Sequence, residues 1–361
     1  MLPKWFNDWN GNNPTNIYGP AILIGGIGGA VLVATLLVTW GQPFATDSMQ
    51  TGPRGTGMSV PEFKSDLATP DPGIAGFTTS TPVIPQPGDP RAGDVIENAE
   101  PLLADLTEAN YTRLVGAMRE WTGIPDLLAG EENYQTVVAR RMIQMTQAIN
   151  EYWDGHVNAN AVVGVTCYTC HRGQPVPSDI WFRIAPVNEA TAGWSANQNR
   201  ATLISQSTSL PSDALETYLL EANTIGVHDL ESRVAGGPAG DDPLPSIQDT
   251  ERTYALMNYV SNALGVNCVF CHNSRAFYDG AQVTPQWGTE MLGISMVQEI
   301  NNDYLVPLRD VYPEDRLGPI HADAPKAACK TCHKGQQQPL QGLNVIDNWP
   351  ELATTEAPVY E

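Results

Sequence analysis

Charge is scarce in this 361-residue chain: Asp, Glu, Lys and Arg make up only 16%, against roughly a quarter of an average soluble domain. The surface must be built largely from Gly, Pro, Asn, Gln, Ser and Thr. Basic residues are scarcer still, 19 against 40 acidic, for a net charge of -21. That balance repels phosphate backbones and attracts basic partners, which excludes nucleic-acid binding as a default. Cysteine is limited to six, and every one sits in a Cys-x-x-Cys pair followed by His. None is left over for a structural disulfide. Alternating runs of strand type are weak, which predicts a mainly α fold with much irregular chain. What the chain does have is length, enough for two to three domains at about 100–200 residues each, and 42% hydrophobic residues for a core.

Residues 19–40 read GPAILIGGIGGAVLVATLLVTW without a charge, and at about 1.5 Å rise per residue they span the roughly 30 Å hydrocarbon core. The run exceeds the apolar region of a cleaved signal peptide and GQPFATDS follows it, so it is read as a retained transmembrane helix. Lys4, offset by Asp8, gives only a weak charge signal for orientation. Gly25 and Gly29 form a small-xxx-small pair suited to close helix approach. Residues 41–93 hold nine Pro and eight Gly, the mark of a segment that packs only with help, so 41–96 is read as an extended tether or strap. A globular domain is expected over 97–350, with a short tail at 351–361.

Four helices are legible inside that domain. They run from Asp105 to Trp121, from Asn133 to Trp153, from Thr250 to Leu264, and from Pro285, after Thr284, through Met291, Met296 and Ile300. The stretch 175–250 is polar, with turn clusters at Gly236–Pro238 and Asp241–Pro243.

Cys167-Tyr-Thr-Cys170-His171, Cys268-Val-Phe-Cys271-His272 and Cys329-Lys-Thr-Cys332-His333 each match the attachment signature of c-type haem. Two thiols one short loop apart can form thioethers to both vinyl groups of one porphyrin, and the adjacent His reaches the iron. A zinc site or a thioredoxin-like redox pair does not explain a His after all three pairs. Three covalently bound c-type haems are therefore expected. Because bacteria attach such haems outside the cytoplasm, residues after 40 are placed in the periplasm and 1–18 in the cytoplasm. The sixth ligands separate a carrier from a catalyst, since an iron with both axial positions filled binds no substrate readily. Met257, on the helix running into the second motif, is the favoured ligand there. Spacing does not separate Met142 from Met145 for the first motif. For the third, Met291, Met296, His321 and His156 all stand open.

The segments VVARRMIQMTQAIN, GVTCYTCHRGQP, TYALMNYVSNALGVNCVFCHNSRAF and RLGPIHADAPKAACKTCHKGQQQPL resemble the cytochrome c subunit of the purple bacterial photosynthetic reaction centre, over roughly residues 100–350. That family normally carries four haems. The spacing of the motifs here resembles that of its second, third and fourth, so the first site is the missing one. Its helix survives as NYTRLVGAMREWTGIPD, with Val115 in place of the Met ligand and GIPDLLAGEEN in place of the attachment motif; Met118 is then a core residue. The resemblance implies Met142 as the partner of His171, Met257 of His272 and His156 of His333. Two Met/His haems of high potential and one bis-His haem of low potential follow. The family's N-terminal lipid-bearing Cys has no counterpart, which leaves the apolar helix as anchor.

The implied function is a carrier, not an enzyme: a single-pass subunit of the inner photosynthetic membrane that passes electrons from a soluble periplasmic donor to the photo-oxidised bacteriochlorophyll special pair. The haem of the second motif here would lie nearest that pair, followed by those of the third and the first. Partners would be the membrane subunits of the reaction centre, antenna helices as a further candidate, and a basic cytochrome or similar donor steered by the acidic surface. Glu120, Asp126, Glu131 and Glu132, near the vacated first site, are candidates for that docking face. The alternatives are a membrane-anchored respiratory multihaem shuttle, favoured by bis-His haems throughout, and a multihaem enzyme with one open iron. His228 and His321 are read as surface or haem-edge packing residues.

Overall fold

The computed structural model describes residues 3–12, 18–39, 46–51, 58–63, 71–130, 132–158, 163–184, 198, 202, 204–205, 208–228, 245–274, 277 and 279–360. Trp40, Glu131 and the turn clusters at 236–238 and 241–243 lie outside them. The N-terminal unit holds α1 (Lys4–Asn12) and α2 (Tyr18–Thr39). Within α2, Ala21–Thr39 has a mean hydropathy of 2.5 and is wholly exposed, as suits a helix whose surroundings are lipid. Two six-residue strands, β1 (Thr46–Thr51) and β2 (Met58–Phe63), pair as a two-stranded sheet within the Pro/Gly-rich stretch.

The larger unit is mainly helical. Its first half carries α3 (Glu108–Thr122), α4 (Tyr134–Tyr152) and the one-turn α5 (Cys167–His171); its second carries α6 (Ile247–Leu264), α7 (Pro285–Glu299) and the one-turn α8 (Cys329–His333). Each long helix starts where a cap allows it. The Thr107 hydroxyl accepts from the Asn110 amide, the Asn133 side chain from Thr136, and Ser246 forms a capping box with Asp249. Both α3 and α6 stop at a left-handed glycine, Gly123 (φ 64) and Gly265 (φ 67). The fourth helix runs further than its sequence suggests. After Glu299 it widens into a π-helical turn over Ile300–Leu305 and then tightens into a 3₁₀ turn at Val306–Asp310.

Each half has its own core. Leu114, Trp121, Ile143, Trp349 and Leu352 centre the first, Leu215, Leu219, Leu256 and Ala263 the second, and a smaller cluster of Ile149, Met296 and Ile300 lies apart from both. Val115 and Met118 are buried in the first core. Residues 71–96 also pack on that half: Phe77 stacks on Trp121 at 5.7 Å, and the Asn110 side chain bonds both the amide and the carbonyl of Val83.

Candidate haem-binding site

The turns α5 and α8 are built alike. In each, the threonine between the cysteines accepts through its hydroxyl from the amide just before the motif, Thr166 to Thr169 at 3.0 Å and Ala328 to Thr331 at 2.9 Å. A left-handed residue ends each turn, Arg172 (φ 49) or Lys334 (φ 52), followed by a positive-φ glycine, Gly173 or Gly335. These glycines donate at 2.8 Å to Trp121 and Ala263, two residues before the glycine caps of α3 and α6. The approach is so close that a Cβ on Gly123 or Gly265 would collide with the Gly173 or Gly335 carbonyl.

A second pair of anchors comes from asparagines that the sequence reading did not single out. Asn150 donates to the Val165 carbonyl at 2.9 Å and accepts from its amide at 2.8 Å. Asn301, in the π-helical turn, does the same with Ala327 at 3.0 and 2.9 Å. Each asparagine stands seventeen residues after its helix cap and binds the residue two before the first cysteine of its motif. Both are almost wholly buried, where a satisfied amide holds a fixed geometry. The motif turns that they pin read as an internal repeat, CYTCHRGQP against CKTCHKGQQQP, but the asparagines lie outside it.

Between the halves of this unit lies a largely apolar cavity of about 650 Å³, within the usual size of cofactor sites, about 300–1,000 Å³. Met142, Met145, His156, Cys167, Cys170, His171, Cys271, Glu290, Met296, Cys329, Cys332 and His333 line it. Three histidines share one arrangement. The Nδ1 atoms of His171, His333 and His156 lie 2.9, 3.0 and 2.9 Å from the carbonyls of Gln174, Gln336 and Thr289. A carbonyl can only accept, so Nδ1 carries the proton and the Nε2 lone pair remains for a metal. Burial lowers the basicity of all three, taking His333 down to about 4, so the rings are neutral. His156 and His333 lie edge to face, ring centres 6.1 Å apart and planes at 69°, so one cofactor between them would find both rings within reach.

Burial pushes the thiols of Cys167 and Cys271 up to about 12 and that of Cys329 higher still, so in the free protein they are thiols, not thiolates. No cluster of three or more metal-ligating side chains gathers among the described residues. The expectation of no disulfide is corrected at one pair: Cys170 and Cys332 form a disulfide contact, Sγ atoms 2.50 Å and Cα atoms 4.6 Å apart, because α5 and α8 pack side by side. A sulfur joined to a vinyl group carries no disulfide, so the two bonds are alternatives there, and the contact places the first and third motifs together.

The second motif differs. Its cysteines open a 3₁₀ turn, Cys268–Phe270, with Cys268 exposed. The buried His272 Nδ1 has no partner among the described residues, and its ring lies 5.5 Å from Phe277. Met257 is half-buried against the second core and does not line the cavity. Of the other candidates, Met291 and His321 are exposed, while His228 Nδ1 is bonded to the Pro245 carbonyl at 2.9 Å.

Known proteins are similar to this chain along nearly all of its length. A family model described as photosynthetic reaction centre cytochrome C subunit matches residues 41–353. Three relatives are named photosynthetic reaction center cytochrome c subunit. That of Roseobacter denitrificans is 64% identical over 100% of both chains. The Rubrivivax gelatinosus protein is 38% identical over 91% of this chain and 89% of its own, and the Thermochromatium tepidum protein 34% over 93% and 80%. A match this long, on a chain whose motifs are seated by a doubled scaffold, has one consequence: the chain belongs to the family of photosynthetic reaction centre cytochrome c subunits.

Proposed function

We propose that this chain is the membrane-anchored electron-transfer subunit of a photosynthetic reaction centre, carrying three covalent haems and passing electrons from a soluble periplasmic donor to the photo-oxidised special pair. The observation that carries the reading is the convergence of two Cys-x-x-Cys-His turns on one apolar cavity with His156 opposite His333. When bound, each haem supplies a reversible one-electron carrier. The chain's own residues fix its position and tune it. Cys167 and Cys170, Cys268 and Cys271, and Cys329 and Cys332 make the thioethers. His171, His272 and His333 are the proximal ligands, with Met142, Met257 and His156 opposite them in that order.

The first site of the family is vacated. Counting from the glycine caps, Val115 stands where Met257 stands in the second half, and Asp126–Gly130 occupy the place of Cys268–His272. Leu127 and Leu128 are buried like Val269 and Phe270, so the turn keeps the motif's buried apolar pair without its cysteines. The contact of α5 with α8 supports an order in which the third motif's haem is followed by the first's, at the end that a donor would reach. The apolar helix α2 anchors the subunit, with the haem unit on the periplasmic side and reaction-centre helices as neighbours. The acidic surface, including Glu120, Asp126 and Glu132, suits a basic donor.

Flash-induced absorbance in membranes, recorded as the redox potential is stepped, tests this reading. The expected result is haem oxidation that tracks special-pair re-reduction, independent of donor concentration, with two high-potential components and one low. Haems that stay reduced after the flash would overturn it in favour of a respiratory shuttle.

A further inference from the structure

The two halves of the haem unit also explain why one site takes histidine where the other takes methionine. Asn150 and Asn301, each seventeen residues after its cap and each locked to its own motif, fix the register between α4 and α7. In that register Met142, nine residues after Asn133, corresponds to Gly293, nine after Thr284. Gly293 is buried in a helix interior, a position where glycine costs helix stability. Its φ lies in the ordinary helical range, so no backbone requirement calls for glycine. The requirement is spatial: a Cβ there would lie 2.9 Å from Nδ1 and 3.1 Å from Nε2 of His156, and closer still to Cε1. The ring rests on the bare helix surface, and the Thr289 carbonyl, one turn earlier, holds its Nδ1 at 2.9 Å.

We infer that Gly293 is the positioning residue that selects the axial ligand of the third motif: by lacking a side chain where α4 carries Met142, it seats the His156 imidazole opposite His333. The inference rests on the reading of His156 as that ligand. It makes ligand choice a property of one position in a duplicated helix rather than of the attachment motif.

The test uses the full chain in its membrane-bound complex, with redox titration, low-temperature electron paramagnetic resonance and the far-red sulfur-to-iron absorption as readouts. His156→Ala is expected to abolish the bis-imidazole signature of one haem, and Gly293→Ala to abolish the same signature while His156 is intact. The covalent haem content and the other two haems, unchanged in both, report that the chain has folded. In the double variant His156→Ala/Gly293→Met the ring's space is freed, and the lowest-potential component is expected to join the high-potential group with a new far-red sulfur band. If His156→Ala removes the signature but Gly293→Ala leaves it intact, the role of Gly293 is overturned while the ligand reading stands. A double variant with no new sulfur band also overturns it. If His156→Ala changes no haem, the ligand reading itself falls.

Discussion

The α3–α4–α5 half and the α6–α7–α8 half share a scaffold and differ in what they bind to it. Both end a long helix on a left-handed glycine that receives the turn after a Cys-x-x-Cys-His motif, and both pin the entry to that motif with a buried asparagine. Yet the helix contributing Met257 in one half contributes Val115 in the other, and Met142 gives way to Gly293. The scaffold is duplicated, whereas the side chains it presents change at single positions. With Val115 at the Met257 position, α3 still docks α5 through Trp121 and Gly173.

The largest contrast between the halves lies in how each is tied down. Arg113 pairs with Glu351 at 2.5 Å, their side chains 7% and 1% exposed, and the guanidinium also donates to the Ser80 and Asn348 carbonyls at 2.8 and 2.6 Å. It lies over Trp349, 4.3 Å from the ring centre. In the second half, Arg252 and Asp213 pair at 3.2 Å with 27% and 19% exposure. Removing one member of a buried pair leaves the other charge unsolvated, at a cost of about 3–5 kcal/mol, against about 1 kcal/mol or less for a half-exposed pair. Arg113→Met should accordingly lower the denaturation midpoint of the first half far more than Arg252→Met lowers that of the second. Circular dichroism and haem absorption in a guanidinium titration compare them, and equal losses would contradict the asymmetry.

Where the scaffold is shared, matched substitutions should cost alike. Gly123→Ala and Gly265→Ala each place a Cβ at positive φ and against the carbonyl of Gly173 or Gly335. The left-handed conformation alone costs roughly 1–2 kcal/mol for a non-glycine residue. Both variants should be destabilised to a similar extent and loosen the turn they dock, the first at Cys167–His171, the second at Cys329–His333. Hydrogen exchange at the Gly173 and Gly335 amides measures this. Loosening in one half only would show that the repeat is not mechanically equivalent.

Much of this was legible in the residues, and the rest was hidden for identifiable reasons. The long helices announced themselves through apolar spacing and cap residues, and the three motifs through their cysteines. Three features could not be read locally. The π-helical turn depends on Asn301 reaching Ala327 and Leu219, contacts distant in sequence. The role of Asn150 looks like any polar residue at a helix end until its partner Val165 is known. Gly293 carries no signal alone, because an interior helix glycine acquires meaning only when His156 is seen lying on it. Residues 71–96, read from composition as a tether or strap, make their contacts through Phe77, Val83 and Ala92, which the Pro/Gly count does not reveal.

That strap supplies the smallest expected effect, and it too belongs to one half only. Asp71 pairs with Arg172 at 3.1 Å and accepts from the Gly73 amide at 2.8 Å, while the Tyr168 hydroxyl donates to the Gly73 carbonyl at 2.5 Å. The matching residue of the second half, Lys334, donates instead to Ser178. Burial tends to raise the Asp71 carboxyl, but the Gly73 amide and the Arg172 guanidinium outweigh it and hold the group below its ordinary 3.8. A carboxyl lowered in the folded state contributes stability in full above its unfolded value and loses it as pH falls through the folded one. The strap should thus be held at pH 7 and loosened as pH falls below the ordinary 3.8. Hydrogen exchange at Gly73 and Phe77 follows the release. Asp71→Asn should exchange faster than the parent at pH 7, once intrinsic rates are corrected, and the gap should close as pH falls further below the ordinary 3.8. A variant indistinguishable from the parent at pH 7 would mean that Phe77 on Trp121, not the ion pair, fastens the strap.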